Sequence, residues 1–257
     1  MKRDAWPSLQ ADAAWRALHA AACTPYRADR GGSRWSWHWA RGKLARDPVF
    51  RGLLERGDLP AAARVVDIGC GQGLLASLLQ ACADQQHAGA WPVQWPVAAS
   101  ASAYTGIELM PKDVARAASA LSRLALQPRF VCADMRKAAL PACDLVVILD
   151  VLHYVDHAAQ DALLQRVHVA LSPQGRLLLR IGDAAAARGF AASQWVDRLV
   201  TWARGHRVAP TWGRTLPQWT AALQALGFTV HAVPQSQGTP FANVLLVADK
   251  AARDPAR

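Results

Sequence analysis

Short apolar runs recur along the chain, separated by segments whose apolar positions follow helical spacing. The run at 145–149 is apolar at every position, which is typical of a parallel strand covered on both faces. Strands that alternate with helices indicate an α/β fold. Strands are predicted at 65–68, 104–109, 129–133, 145–149, 176–181, 228–233 and 243–248, and helices at 74–83, 111–126, 158–171, 184–203 and 216–226.

The first 62 residues precede this pattern and are predicted to form a helical extension. Residues 5–22 are rich in alanine with apolar positions at helical spacing, which predicts a helix. Residues 24–43 form a basic, aromatic segment interrupted by glycines, and Asp47 followed by Pro48 predicts the capped start of another helix. We therefore expect an extension at 1–62, an α/β domain at 63–250 and a tail at 251–257.

The turn after the first strand is the most informative segment. Residues 65–73 read Val-Val-Asp-Ile-Gly-Cys-Gly-Gln-Gly and lead directly into a helix. Glycine adopts positive φ and lets a ligand approach the backbone closely, while the first turn of the helix presents unpaired N–H groups. Asp67 ends the strand, where open α/β sheets bind ligands. The turn therefore predicts a ligand-binding loop.

Two more acids end predicted strands, Glu108 in the second and Asp134 after the third, and the fourth strand continues into Asp150-Val-Leu-His153-Tyr154. The glycine spacing is Gly-x-Gly-x-Gly, which differs from the Gly-x-Gly-x-x-Gly of dinucleotide enzymes. These four segments, in this order, resemble the class I S-adenosylmethionine-dependent methyltransferases. The resemblance implies a Rossmann-like, seven-stranded, mostly parallel sheet with helices on both faces, an antiparallel C-terminal edge hairpin and an N-terminal helical lid.

The resemblance also implies a cofactor site for S-adenosylmethionine, with S-adenosylhomocysteine as the product. Asp67 would organise the glycine loop around the methionine part. Glu108 would take both ribose hydroxyls, because a carboxylate accepts two hydrogen bonds at once, and Asp134 would contact the adenine amino group. The candidate cofactor residues are Asp67, Gly69, Cys70, Gly71, Gly73, Glu108, Leu109, Asp134, Met135, Leu149 and Arg41.

Candidate catalytic and substrate residues follow from the same resemblance. The donor methyl is already electrophilic, so a base is needed only if the acceptor must lose a proton. His153 is the candidate base because its pKa lies near working pH; packing within its own loop is the alternative. Asp150 and Tyr154 would orient it. The candidate substrate residues are Tyr26, Trp35, Trp37, His38, Trp39 and Arg180, the last as an anchor for an acidic group.

The net charge favours one class of partner, and the cysteines bear on whether the chain holds a metal site. The formal net charge of +10 favours an anionic partner such as a nucleic acid, an acidic carrier protein, a membrane surface or a carboxylated metabolite. Scattered solvated arginines are the alternative explanation.

Five cysteines without a C-x-x-C pair indicate buried free thiols rather than a metal site. No apolar stretch reaches 18 residues, and the N-terminus lacks an apolar signal core, so we expect no transmembrane segment and a cytoplasmic protein.

An insertion is predicted before the second strand. Asp67 and Glu108 are about 40 residues apart, whereas one strand–helix–strand step needs only about 20. Residues 84–103 contain Trp-Pro-Val-Gln-Trp-Pro, and each proline prevents a regular helix there. We expect a packed or disordered loop on the edge away from the catalytic mouth; a surface flap or a contact with a partner is the alternative.

The function predicted from the sequence is methyl transfer to oxygen or carbon of a small aromatic or acyl metabolite. The chain lacks the Asn/Asp-Pro-Pro-Tyr run used on amino groups, a Pro-Cys nucleophile and an RNA-binding module. Residues 39–50 also resemble methyltransferases of bacterial aryl polyene pathways in secondary metabolism, whose substrates ride on an acidic acyl carrier protein. RNA or protein methylation, which the charge favours, and a non-catalytic cofactor-binding subunit are the alternatives.

Overall fold

A computed structural model describes residues 9–183, 212–235 and 243–252 of the 257-residue chain. The chain divides into two compact units. The first unit comprises Met1–Val65 with Cys70–Cys132, and the second comprises Val66–Gly69 with Ala133–Arg257. The predicted boundaries at 62 and 250 stay a prediction.

A seven-stranded sheet carries the fold, in the order β3-β2-β1-β4-β5-β7-β6. The pairs β2–β3 and β4–β5 are parallel, whereas β7 is antiparallel to both β5 and β6. This confirms the predicted Rossmann-like sheet with its antiparallel C-terminal hairpin. The strands are β1 (Ala63–Ile68), β2 (Ala101–Glu108), β3 (Arg129–Cys132), β4 (Cys143–Leu149), β5 (Leu171–Gly182), β6 (Phe228–Pro234) and β7 (Asn243–Lys250).

Seven α-helices lie in the described part of the chain. In the first unit α1 packs against α2 and α4, and α5 packs against β3; in the second unit α6 packs against β5 and α7 against β6. The predicted helix at 184–203 lies outside the described residues. The helices are α1 (Leu9–Cys23), α2 (Arg34–Arg46), α3 (Pro48–Arg56), α4 (Leu74–His87), α5 (Pro111–Ala120), α6 (His157–Ala170) and α7 (Leu216–Ala225).

Helix α2 occupies the segment that the sequence predicted to be interrupted by glycines. Its start is capped by Ser33, whose Oγ accepts a hydrogen bond from the N–H of Ser36 at 3.0 Å. Gly42 costs a helix interior about 1 kcal/mol relative to alanine. The buried residues Ser36, Ala40 and Leu44 recur every fourth position and face the unit's interior, so packing outweighs that cost.

The predicted start of α3 is confirmed. Asp47 caps it, with Oδ1 accepting the N–H of Val49 at 3.1 Å, and Pro48 is its first residue. The helix ends at Gly57, which has φ of 71°.

Four element boundaries differ from the predictions by three residues or more. Helix α5 ends at Ala120 rather than near 126, because the chain turns towards β3 and the N–H of Leu126 donates to the Gln80 side chain at 2.8 Å. Helix α4 continues to His87, and β2 begins three residues before the predicted start. Strand β5 begins at Leu171 rather than at 176, so residues 172–175 lie inside it, next to an irregularity in the β4–β5 register.

The insertion between α4 and β2 is a packed loop. The rings of Trp91 and Trp95 meet edge to face at 5.4 Å, and Trp91 Nε1 donates to the carbonyl of Pro96 at 2.8 Å. Trp95 is buried whereas Val93 is 99% exposed. Pro96 packs on the end of α3, since a Cβ added at Gly57 would lie 2.8 Å from its Cβ. A surface cavity of about 450 Å³ is lined by Gln86, Gly89, Trp91, Pro92, Val93, Trp95, Pro96, Val97 and Ala98.

The cysteines are free thiols, as predicted, and all but one are buried. Burial raises the pKa of both Cys23 and Cys82 to about 12. Cys132 is exposed because β3 is an edge strand of the sheet. No three His, Cys, Asp or Glu side chains among the described residues form a group that could hold a metal ion. None of the helices within those residues has the length and hydropathy that a membrane crossing requires.

Candidate active site

Three glycines after β1 have left-handed backbone angles, with φ of 77° at Gly69, 55° at Gly71 and 74° at Gly73. Other residues rarely adopt this region. A Cβ would also lie 2.5 Å from the side chain of Val151 at Gly69 and 2.7 Å from Phe130 at Gly73. At Gly71 no heavy atom lies within 4 Å of that position, so a ligand can approach the backbone there.

The carboxylate of Glu108, at the end of β2, lies on the glycine loop. Its Oε2 accepts the N–H of Gly71 at 3.0 Å, and its Oε1 accepts the N–H of Met110 at 2.9 Å. An ionised carboxylate offers about four acceptor sites, so two remain for a pair of vicinal hydroxyls. An open glycine backbone beside such a carboxylate fits the ribose of S-adenosylmethionine.

The neighbours of this pair also come from the first unit. The N–H of Cys70 donates to the carbonyl of Ile107 at 3.2 Å, which ties the loop to β2. Leu109 follows Glu108 and is a large exposed apolar side chain.

Aromatic and basic side chains alternate on helix α2. Trp35 is 51% exposed, and the guanidinium of Arg116 lies 4.4 Å from its ring centroid. Trp37 contacts both the ring of His38 at 4.8 Å and the guanidinium of Arg41 at 4.5 Å. A cation–π pair at an exposed site contributes about 0.5–1 kcal/mol, so these pairs favour the observed ring orientations.

Tyr26 lies in a 3₁₀ turn between α1 and α2 and is completely buried. Its hydroxyl donates to the carbonyl of Gln72 in the glycine loop at 2.8 Å. The ring of Trp39 meets it edge to face at 6.4 Å. Tyr26, which the sequence assigned to the substrate, therefore contacts the backbone of the glycine loop.

In the second unit, Asp150 follows β4 with φ of 59°, a left-handed angle that is unusual without glycine. Arg180, in β5, is 3% exposed, and its Nε donates to Asp150 Oδ1 at 2.8 Å. A second bond joins Arg180 Nη2 to Asp150 Oδ2. The two residues are thus a bidentate ion pair.

His153 and Tyr154 occupy the 3₁₀ turn just after Asp150, with ring centroids 4.2 Å apart. The buried side chain of Gln160 fixes this turn. Its Nε2 lies 3.2 Å from the carbonyl oxygen of Leu152, 3.0 Å from that of Val155 and 2.8 Å from that of Trp212.

The remaining predicted cofactor residues of the second unit occupy separate positions. Asp67 is a buried residue of β1, and Leu149 is half-buried at the end of β4. Asp134 follows β3 and accepts hydrogen bonds from the Arg136 side chain at 2.9 and 3.0 Å, which hold the pKa of this carboxyl below its usual value. The carbonyl of Met135 accepts a bond from Arg166 at 2.5 Å.

Within the units, the structure thus joins Gly71 with Glu108, and Asp150 with Arg180. Three neighbouring residues were absent from the sequence prediction: Gln72, Arg116 and Gln160. Gln72 stands inside the glycine motif, which was a usable signal. Arg116 and Gln160 gave no such signal, because the partner of a single arginine or glutamine on a helix is defined only by tertiary packing.

A family model described as a methyltransferase domain matches residues 36–233, most of the chain. The chain therefore belongs to this methyltransferase family. It is an S-adenosylmethionine-dependent enzyme with S-adenosylhomocysteine as its second product. No curated protein has a sequence that matches the chain.

Solved structures share the fold. Magnesium protoporphyrin IX methyltransferase from Synechocystis PCC 6803, solved with bound SAH, is 19% identical, with 95% of each chain covered and a TM-score of 0.55. An S-adenosylmethionine-dependent methyltransferase from Mesorhizobium loti is 22% identical over 76% of this chain and 95% of its own, with a TM-score of 0.53. An O-methyltransferase family protein from Burkholderia thailandensis is 16% identical over 96% of this chain and 70% of its own, with a TM-score of 0.55.

Proposed function

We propose that this enzyme methylates an oxygen or carbon atom of a small aromatic or acyl metabolite, free or bound to an acidic carrier protein. The observation that carries the proposal is the aromatic and basic surface of α2. The exposed indole of Trp35 is paired with Arg116, and Trp37 is paired with Arg41. Indole faces suit planar acceptors and guanidinium groups suit acidic ones. Trp39 and His38 complete the candidate substrate residues, whereas Tyr26, also predicted as one, is completely buried and contacts the glycine loop instead.

In this proposal the cofactor is held mainly by backbone and carboxylates. The open backbone at Gly71 lets the cofactor approach the loop. Glu108 already accepts the N–H groups of Gly71 and Met110, and its remaining lone pairs accept the two ribose hydroxyls. Leu109 offers an apolar face to the adenine. Arg41 pairs with the cofactor carboxylate. The other candidate contacts are Asp67, Gly69, Cys70, Gly73, Asp134, Met135 and Leu149.

When bound, the cofactor supplies a methyl group made electrophilic by the sulfonium. The protein has to align the acceptor, exclude water and remove a proton where one must leave. His153 takes the proton of an acceptor hydroxyl, and Tyr154, whose ring contacts that of His153 at a tilt of 53°, helps to orient it. Asp150 also borders this position. Arg180 stays the candidate anchor for an acidic acceptor group, although its guanidinium already donates to Asp150.

An acidic carrier protein would account for the net charge of +10. The resemblance of residues 39–50 to methyltransferases of aryl polyene pathways supports such a carrier and a place in secondary metabolism. Binding of acyl carrier protein should weaken steeply as the salt concentration is raised. Dissolved ions screen the attraction between exposed charges, with a screening length of about 8 Å at physiological ionic strength that shortens further at higher salt. Absent or salt-insensitive binding would contradict this part of the proposal. A cytoplasmic location stays a prediction.

The test of the acceptor class is incubation of the enzyme with methyl-labelled S-adenosylmethionine and cell extract. The proposal expects label in solvent-extractable metabolites. Label in RNA or protein would instead support the rival function, which the positive charge favours.

A separate experiment addresses a non-catalytic, cofactor-binding subunit. The variant Asp67→Ala should lose cofactor binding, and cells that carry it should lose the methylated metabolite. Loss of binding with all methylated products retained would support the non-catalytic alternative.

A further inference from the structure

The extension is bonded to the cofactor loop through one buried tyrosine. The hydroxyl of Tyr26 donates to the carbonyl of Gln72, a residue 46 positions further along the chain. Gln72 stands between Gly71 and Gly73, and it is itself buried. The contact therefore reaches the middle of the glycine motif.

Tyr26 is held in place by its own turn. Its carbonyl accepts the N–H of Ser33 at 3.1 Å, which closes the turn between α1 and α2. A Cβ added at Gly32 would lie 1.9 Å from that carbonyl oxygen, so the turn closes this tightly only around glycine. The tyrosine ring thus has little freedom to move away from the loop.

The hydrogen bond from Tyr26 fixes the orientation of the peptide group between Gln72 and Gly73. The carbonyl of Gln72 and the N–H of Gly73 belong to one planar peptide group. That N–H donates to the carbonyl of Cys70 at 2.9 Å, so Tyr26 and Cys70 hold the two ends of the same plane. This plane turns about ψ of Gln72 and φ of Gly73. Because glycine tolerates many values of φ, a plane held at one end only could rotate.

We propose that Tyr26 is a positioning residue for the glycine loop, so that the extension helps to bind S-adenosylmethionine whatever the acceptor is. Two further hydrogen bonds join the extension to the rest of the first unit through hydroxyl groups that do not contact the loop. Ser77 Oγ donates to the carbonyl of Ala22 at 2.7 Å in a buried position, and Ser119 Oγ donates to that of Gly31 at 2.6 Å. The extension should therefore stay docked when the Tyr26 hydroxyl is removed.

The test compares Tyr26→Phe with Ser77→Ala by calorimetric titration with S-adenosylhomocysteine, which requires no acceptor. Each variant loses one buried hydrogen bond between the extension and the rest of the first unit. Only Tyr26→Phe removes a bond to the glycine loop. We expect the Kd to rise about 3- to 10-fold for Tyr26→Phe and to stay at the wild-type value for Ser77→Ala. An unchanged Kd for Tyr26→Phe, or equal increases for both variants, would overturn the proposal.

Hydrogen exchange gives a second readout that requires no ligand. In the Tyr26→Phe protein without cofactor, the amide of Gly73 should exchange faster than in wild type while the amides of α4 keep their protection. Unchanged exchange at Gly73 would overturn the proposal. Faster exchange throughout α4 would do so too, since it would show that the tyrosine supports only the general fold.

Discussion

Two turns at the carboxyl ends of parallel strands adopt the same left-handed backbone by opposite means. The turn after β1 uses Gly69, Gly71 and Gly73, where the missing side chains make the angle free of strain and, at Gly71, leave the backbone open. The turn after β4 uses Asp150, whose side chain is held by the buried guanidinium of Arg180. The first turn depends on the absence of side chains and the second on an ion pair, so the two turns should respond differently to substitution.

Removal of the arginine should have the largest effect. Arg180→Met removes a guanidinium that is 3% exposed and leaves the Asp150 carboxylate, which is 36% exposed, without this partner. Because hydrogen bonds to a charged group are lost, we expect the free energy of unfolding in urea to fall by about 2–3 kcal/mol. Arg176→Met is the matched control in the same strand. Its pair with Asp249 is about one-third exposed on both sides, so its loss should cost less than about 1 kcal/mol. Equal losses would show that the buried pair does not stabilise the turn.

A methyl group added to the glycine turn should act on binding. In Gly71→Ala the new Cβ occupies the open space beside the loop and strains a backbone with φ of 55°. We expect affinity for S-adenosylhomocysteine to fall by about 2 kcal/mol, or about 30-fold. Gly89→Ala is the control, because Gly89 also has positive φ and open space but lies beyond α4. If Gly89→Ala weakens binding as much, a general loss of stability and not lost room at the loop explains the effect.

Two substitutions of Asp150 separate the backbone from the ion pair. Both Asp150→Gly and Asp150→Ala remove the carboxylate, but only glycine accepts the left-handed angle freely. The alanine variant should be the less stable of the two by about 1 kcal/mol in urea unfolding. Gln174, with φ of 64° in β5, should show the same order of its glycine and alanine variants. A more stable alanine variant at position 150 would mean that the turn relaxes once the pair is gone.

The smallest effect is expected for an exposed pair in the turn after β3. Arg136 keeps the pKa of Asp134 low, so Arg136→Gln should move this pKa up towards its usual value in a carbon-detected NMR titration. A lowered pKa adds stability above the ordinary aspartate pKa of about 3.9 and loses it as the pH falls through the native value. Wild type and variant should therefore converge in stability at strongly acid pH. A difference that persists there would point to packing instead of charge.

The two turns also differ in how far the sequence predicted them. The glycine turn is local, since its spacing, its strand and its helix are consecutive in the chain, and the acid at 108 reaches it through a recognisable strand end. The Asp150–Arg180 pair joins residues 30 positions apart. It depends on the β4–β5 register, in which Leu149 lies opposite Arg180, and hydrophobic patterns do not define a register. For the same reason Arg180 was predicted only as a substrate anchor.

Helix α2 shows a second limit of local patterns. Its glycine and its tryptophans gave a weak helical signal, and only the buried face formed by Ser36, Ala40 and Leu44 explains why it is helical. Tyr26 was selected as an aromatic residue of the extension, but its partner is a backbone carbonyl, and sequence does not reveal which carbonyl a side chain reaches. The contacts of Gln72 and Gln160 were missed for the same reason.

The contact between the insertion and the end of α3 has an evolutionary consequence. Pro96 occupies the space into which any side chain at position 57 would project. A side chain at position 57 therefore requires a change at position 96. Homologues that have lost the insertion should be free to replace this glycine with asparagine, whereas homologues that keep the proline should retain glycine, so the two positions should covary.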